Sequence, residues 1–213
     1  MAKIIKVGAD YFPPYQYFND AGKPDGIDYQ KVKAVLETMG YEMDILIADD
    51  WGEVQRRFDS LALDVAFQMQ PTPERLEKYY FSDLLREAVT EVVTSHSQLQ
   101  ITCYRDIEDQ KLKLGVLQGY TNGPDIDALC AECKLEYANS AELLEGIGTA
   151  QVDLGVMDQG VKRYLMQKNG VENIYAIDAL AFSRPLHVIF NDWALRDSFN
   201  RAMAKLLTSD GVE

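Results

Sequence analysis

The chain has 213 residues, of which 47% are hydrophobic and 26% charged, and its formal net charge at pH 7 is −13. This length is enough for one large domain or for two modest lobes with buried cores. The acidic balance excludes a nucleic-acid partner from our expectations, because phosphate binding needs a basic stripe and the Lys/Arg clusters here are pairs such as Arg56-Arg57.

Strand and helix patterns alternate through the first part of the chain. The apolar residues Val32, Val35, Leu36 and Met39 follow helical spacing. The predicted elements are a strand at 4–9, a loop at 11–15, a turn at 19–22, a helix from Asp28 to Gly40, a strand at 42–47, a helix at 51–61 and a short buried strand at 64–67.

The second part repeats this plan. Its predicted elements are a β-branched strand at 89–94, a strand at 112–117, a loop at 119–123, helices at 125–133 and 141–148, a strand at 152–156, an extended run at 183–190 and a helix at 193–207. The alternation predicts an α/β fold of two lobes, each a mostly parallel sheet flanked by helices. If 89–94 and 185–190 both cross between lobes as hinge strands, lobe one comprises 1–88 plus 190–213 and lobe two comprises 89–189.

One short turn carries the strongest functional signal. In Gln68-Met-Gln70-Pro-Thr72-Pro73-Glu-Arg75, Thr72 suits a helix N-cap and Pro73 suits the first helical position. Arg75 then falls in the first turn, where the helix dipole repels a cation. We therefore expect an anion to compensate Arg75.

This turn, followed by Phe81-Ser-Asp83, resembles the signature of the family 3 extracellular solute-binding proteins, the amino-acid receptors of bacterial uptake systems. Four further segments resemble the family in the same order along the chain, so the resemblance covers nearly all of it. They are Gly8-Ala-Asp-Tyr-Phe-Pro-Pro-Tyr15, Gly22-Lys-Pro-Asp-Gly-Ile-Asp28, Gly115-Val-Leu-Gln-Gly-Tyr-Thr121 and Val152-Asp-Leu-Gly-Val-Met-Asp158.

The resemblance implies a type II periplasmic binding fold that closes like a Venus flytrap on a carboxylate-bearing ligand, most readily an amino acid. Arg75 would clamp the ligand carboxylate, backbone N–H groups of the 119–122 loop would share it, and Asp158 would take the ammonium. Asp158 also has a plain structural alternative as a helix N-cap. The remaining predicted ligand contacts are Asp10, Tyr11, Tyr15, Trp51, Gln68, Gln70, Gln118, Tyr120 and Thr121.

Several of these residues have competing readings. Asp10 suits either a polar or cationic ligand side chain or a cap on its loop, and Phe12 is better explained by core packing. Gln68 and Gln70 stand where the family usually has smaller residues, so they either add hydrogen bonds to the ligand or fill part of its pocket. Accordingly, either the ligand differs from a standard amino acid, for example as a related organic acid, or its carboxylate is held differently. The chain also stops at 209–213, earlier than the family's usual last helix, which predicts a truncated or disordered tail.

The cysteines number three, Cys103, Cys130 and Cys133, so at least one thiol stays unpaired in a monomer. Cys130 and Cys133 have the spacing of a redox motif or of half a zinc site. Zinc would need two more ligands, and His96 and His187 lie far away in strand-like runs. We therefore expect inert cysteines, with no metal and no cofactor.

Function beyond binding stays open at this stage. We expect a monomeric binding protein, not an enzyme, that serves a membrane permease of an ABC transporter. The alternatives are an extracellular sensor domain of a membrane receptor and, less favoured, a dehydratase-like enzyme. The start Met-Ala-Lys-Ile-Ile-Lys lacks the apolar core of a signal peptide, and no run of about 20 apolar residues exists. Because the family is exported, we expect a periplasmic or extracellular protein whose leader has been replaced.

Overall fold

A computed structural model describes residues 2–209. The strands are β1 Lys3–Asp10, β2 Tyr17–Phe18, β3 Pro24–Asp25, β4 Tyr41–Ala48, β5 Val65–Met69, β6 Tyr80–Thr94, β7 Leu114–Leu117, β8 Lys134–Tyr137, β9 Leu154–Asp158, β10 Tyr175–Ala176 and β11 Phe182–Phe190. The helices are α1 Ile27–Thr38, α2 Trp51–Asp59, α3 Pro73–Lys78, α4 Arg105–Asp109, α5 Pro124–Asp127, α6 Ser140–Gly148, α7 Gln159–Asn169 and α8 Trp193–Ser209.

These elements form two compact units, which confirms the predicted α/β class. Unit one contains the described residues up to Glu87 and from Pro185 onward, and unit two is Ala88–Arg184. The chain passes between the units within β6 and within β11. The sequence-based division placed these passages after residues 88 and 189. Within residues 2–209, no helix is both long and apolar enough to cross a membrane.

Unit one is built on a sheet in which β1 lies between β4 and β5, all three parallel, with β11 antiparallel beside β5. Its core joins Val7 of β1, Leu36 of α1 and Phe199 of α8, all fully buried. Asp10 pairs with Ala48 in the β1–β4 register. The carboxyl ends of β4, β1 and β5 therefore share one edge of this sheet.

Unit two repeats the arrangement. Strand β7 lies between β8 and β9, all parallel, and β6 runs antiparallel beside β9. Its core joins Ile107 of α4, Leu114 of β7 and Leu154 of β9. The register pairs Gly115 with Gly155, so continuing it brings Gln118 level with Asp158 at the carboxyl edge.

The predicted helix over 125–133 is wrong. Helix α5 is only four residues long, and the Lys134 ammonium binds the carbonyls of Ile126 and Asp127 where it ends. Cys130 and Cys133 then bracket a short 3-10 turn, joined by a disulfide with a Cα–Cα distance of 5.4 Å. Cys103 is free and exposed, which confirms the expected unpaired thiol.

Two strands also differ from expectation. Strand β8 was not predicted, because Lys-Leu-Glu-Tyr alternates polar and apolar residues over only four positions, the shortest run that indicates a strand. Strand β6 begins at Tyr80, well before the β-branched run at 89–94 that identified it. Residues 210–213, at the chain end where we expected a truncation, lie outside the described residues.

Candidate ligand-binding site

Arg75 is the third residue of α3, as the turn chemistry predicted. Because α3 has only six residues, Arg75 also belongs to its last turn, so the structure does not support the predicted repulsion of its charge by the helix dipole. The Thr72 hydroxyl accepts the Arg75 backbone N–H at 3.3 Å, and Pro73 occupies the start of the helix. The Arg75 guanidinium is half-buried and donates through Nη1 to the carbonyl of Gln70 at 3.1 Å. Burial lowers the pKa of this guanidinium, and electrostatic attraction to the side chains of Tyr79 and Glu74 partly opposes that shift.

The Arg75 guanidinium is thus stabilised chiefly by its hydrogen bond to one peptide carbonyl, that of Gln70. Across residues 2–209, Arg75 makes no ion pair. The neighbouring Gln70 contributes a second unsatisfied group, because its side-chain Oε1 is buried and has no hydrogen-bond partner in the same part of the chain. A buried acceptor without a partner costs about 1–3 kcal/mol, so a donor from outside would be favoured there.

Gln68, two residues earlier, is engaged inside unit one. It has a left-handed backbone with φ of 70°, rare for a residue other than glycine. Its carboxamide nitrogen donates to Gln16 Oε1 at 2.7 Å and to Asp28 Oδ2 at 2.5 Å. Both of its N–H donors have partners, so Gln68 is placed to support neighbouring side chains.

Arg86 completes this network, and no local pattern in the sequence indicates its role. Its Nε donates to Asp28 Oδ2 at 2.7 Å, and its guanidinium carbon lies 3.5 Å from the ring centroid of Tyr15. Asp28 is only 1% exposed. Burial raises the pKa of the Asp28 carboxyl, and the Arg86 charge and hydrogen bond only partly offset that rise.

The remaining unit-one candidates lie at the carboxyl edge of the sheet. Asp10 ends β1, is buried, and accepts a hydrogen bond from Gln16 Nε2 at 3.3 Å. Tyr11 is 38% exposed, and Tyr15 is half-buried against Arg86. Trp51 opens α2 after β4 and is 6% exposed. The Gln16 amide thus links Asp10 to the Gln68 network.

In unit two, the loop that follows β7 carries Gln118, Tyr120 and Thr121. Gln118 is exposed, and the other two are half-exposed. The Tyr120 N–H donates to the Leu117 carbonyl at 3.3 Å, so it is not one of the free donors predicted for this loop. The Thr121 N–H has no partner among the described residues.

Asp158 ends β9 and caps α7. Its Oδ1 accepts the N–H groups of Gly160 at 2.8 Å and Val161 at 3.1 Å. The structure therefore confirms the N-cap role that the sequence left open. The carboxylate is 4% exposed and sits at the strand end where ligands of parallel α/β sheets gather.

The first turns of α7 are fixed by a buried carboxylate that sequence reasoning missed. Glu91 of β6 accepts from Gln159 Nε2 at 2.7 Å and from the Lys162 ammonium. Burial would raise the pKa of Glu91, but hydrogen bonds from Lys162 and Gln159 outweigh it and hold that pKa below the usual value. Glu91 thereby anchors the helix whose start Asp158 caps.

The one group of three potential metal ligands among residues 2–209 lies elsewhere in unit two. Glu108 approaches Cys130 and Cys133, with donor atoms within 4.8 Å of one another. The two cysteine sulfurs are joined in the disulfide and are not thiolates, so the three residues do not form a metal site while the disulfide is intact.

Two α/β units, each with charged and polar groups at the carboxyl edge of a mainly parallel sheet, define the type II periplasmic binding fold. The sequence model of the bacterial extracellular solute-binding proteins, family 3, matches residues 5–212, and the chain belongs to this family.

Two relatives of known name are also solute-binding proteins. A probable amino-acid ABC transporter-binding protein of Haemophilus influenzae is 27% identical over 111 residues, covering 51% of this chain and 43% of the relative. The chain thus spans less than half of that relative. An arginine-binding extracellular protein, ArtP, of Bacillus subtilis is 23% identical, covering 99% of this chain and 82% of the relative.

Solved structures share the fold at low identity. An ancestral arginine-binding protein bound to arginine superimposes with a TM-score of 0.85 at 21% identity, covering 99% of this chain and 95% of the other. A histidine kinase sensor domain similar to periplasmic binding proteins gives a TM-score of 0.86 at 18% identity, covering 98% and 92%.

Proposed function

We propose that the protein binds a small carboxylate-bearing solute, an amino acid, with side chains of both units, and delivers it to a membrane permease for uptake. Binding takes place outside the cytoplasm, in the periplasm or at the cell surface. The units close around the ligand, which bridges them. Family membership and the name of the Haemophilus relative support the transport role.

The observation that carries the proposal is the state of Arg75. A half-buried guanidinium is destabilised by the hydration that it loses. A ligand carboxylate would offset this cost through a bidentate pair, which is worth about 1.5–3 kcal/mol as a charged hydrogen bond. The orphaned Gln70 Oε1 beside it would accept a ligand N–H.

Unit two supplies the complementary groups of an amino-acid site. The unpartnered Thr121 N–H donates to the same carboxylate, and Gln118 and Tyr120 line the approach to it. Asp158 takes the ammonium while it continues to cap α7, because a carboxylate has about four acceptor positions over its two oxygens.

The ligand side chain is received by unit one. Tyr11, Tyr15 and Trp51 offer aromatic surface, and Asp10 offers a negative charge to a cationic or polar group. Gln68 acts indirectly by holding Gln16, which in turn binds Asp10. This arrangement suits a long polar side chain, consistent with arginine binding in the Bacillus relative.

A thermal-shift screen tests the proposal. It would cover the twenty L-amino acids, their carboxamides and simple organic acids. A ligand present at 100 times its dissociation constant stabilises a protein by about 2.7 kcal/mol, which produces a clear rise in melting temperature. We expect at least one amino acid to give this rise at millimolar concentration. A flat response to every amino acid would refute the proposal.

A further inference from the structure

Arg184 occupies an unusual place in unit two. It lies in β11 as the last residue of the unit and is only 8% exposed. A buried arginine is costly unless its planar set of donors is used. Its Nη1 donates to the backbone carbonyl of Thr121 at 3.2 Å, 63 residues earlier in the chain.

This contact falls on the loop proposed to bind the ligand carboxylate. The loop turns at two left-handed glycines, Gly119 with φ of 77° and Gly123 with φ of 92°. The Asn122 N–H is held by the Asp127 carboxylate at 3.1 Å. With its carbonyl held by Arg184, the Thr121 backbone is fixed while its own N–H keeps no partner among the described residues.

We infer that Arg184 is a positioning residue for carboxylate recognition, an inference that rests on the proposed function. It acts in two ways without touching the ligand. Its hydrogen bond holds the Thr121 peptide in the orientation that presents the N–H donor. Its fixed charge also raises the local positive potential in a sheltered site, where preorganised charges act most strongly on an anion.

The effect should be larger for a carboxylate than for a neutral acceptor, and calorimetric titration with matched ligands separates it from general damage to the protein. The ligands are the L-amino acid with the largest thermal shift in the screen and its carboxamide. In Arg184→Met, we expect affinity for the amino acid to fall at least about tenfold, equal to about 1.4 kcal/mol. Affinity for the carboxamide should fall by a clearly smaller factor, because its oxygen still accepts from the Thr121 N–H but carries no charge. Arg105→Met removes the same charge from an exposed site in unit two and should change neither affinity.

Amide hydrogen exchange of the unliganded protein gives a second readout. The amides of 119–123 should exchange faster in Arg184→Met, whereas those of α6 should not. If Arg184→Met does not fold, Arg184→Lys replaces it in both experiments. Lysine keeps the positive charge but lacks the planar guanidinium. Arg184→Lys should therefore show the same faster exchange and a smaller loss of amino-acid affinity. Equal losses for both ligands, or unchanged exchange and affinity, would overturn the inference. If the wild-type protein binds no amino acid, the proposed function itself fails, which is a different result.

Discussion

Units one and two differ in whether the residue proposed to bind the ligand also stabilises the fold. In unit one, the guanidinium of the proposed carboxylate clamp Arg75 hydrogen-bonds only to the Gln70 carbonyl among residues 2–209, while Asp28, Arg86 and Gln68 form another hydrogen-bonded network. In unit two, the proposed ammonium ligand Asp158 is itself the N-cap of α7. Binding should therefore be separable from stability by simple truncation in unit one, but only by a cap-preserving substitution in unit two.

The largest loss of stability should follow Arg86→Met in unit one. The change leaves the Asp28 carboxylate buried without its ion-pair partner, which costs about 3–5 kcal/mol when a buried pair is broken. Urea unfolding of the unliganded protein measures it. Arg56→Met, an exposed change of the same charge in the same unit, should stay within about 0.5 kcal/mol of wild type.

A double substitution tests the cause of that loss. Adding Asp28→Asn to Arg86→Met removes the stranded charge, so part of the lost stability should return. A double variant that is no more stable than Arg86→Met alone would show that the loss comes from packing against Tyr15 instead.

An intermediate effect is expected for the cap in unit two. Asp158→Ala should cost about 1 kcal/mol of stability and abolish ligand binding, since it removes the cap and the charge together. Asp158→Asn keeps a good cap, so it should retain most of the stability and still lose the ligand. Thermal unfolding combined with calorimetric titration measures both.

Asn139 provides a matched control for this result. It caps α6 in the same unit by accepting the N–H groups of Ala141 and Glu142. Asn139→Ala should therefore lose a similar amount of stability without losing the ligand. Full ligand affinity in Asp158→Asn would contradict the proposed role of the Asp158 charge.

The smallest effect concerns pH. The folded pKa of Glu91 is lowered from 4.5, so its stabilising contribution is complete above about pH 4.5 and is lost as the pH falls through the lowered value. Glu91→Gln removes this titration, and the variant should lose less stability than wild type on acidification through that range. Unfolding free energies measured from pH 6 to pH 3 test this, and parallel curves would contradict it.

Asp28 in unit one should contribute with the opposite sign. Its folded pKa is raised from 3.8, so its most favourable contribution lies at low pH and is lost as the pH rises through the folded value. Acidification thus weakens the Glu91 pair of unit two while it relieves the buried Asp28 charge of unit one.

Local chemistry made much of the fold predictable. The helix start at Thr72 and Pro73 follows from capping preferences within a few residues, as does the cap alternative for Asp158. The α/β alternation follows from apolar periodicity. These features depend on neighbours in sequence, so a single chain contains the information needed to find them.

The missed features depend on distant partners or on weak patterns. Arg86 meets Asp28 across 58 residues and Glu91 meets Lys162 across 71, and neither residue stands out locally. Asp28 lies in the first turn of α1, where the helix dipole favours an acidic residue. Because this local reason is enough to explain an aspartate there, the sequence does not indicate that Asp28 pairs with Arg86. The turn at Cys130 was missed because the predicted helix extended to residue 133, and the edge strand β8 was missed because its alternating pattern is only four residues long.

The central claim is that the Arg75 guanidinium binds the ligand carboxylate and contributes little to the stability of the unliganded protein. Calorimetric titration of wild type and Arg75→Met with the amino acid identified in the screen tests it most directly, alongside melting of both proteins without ligand. We predict micromolar or tighter binding for wild type, at least about a hundredfold weaker binding for Arg75→Met, equal to about 2.7 kcal/mol, and nearly equal unliganded melting temperatures. Undiminished affinity in Arg75→Met, or a large loss of unliganded stability, would contradict the claim.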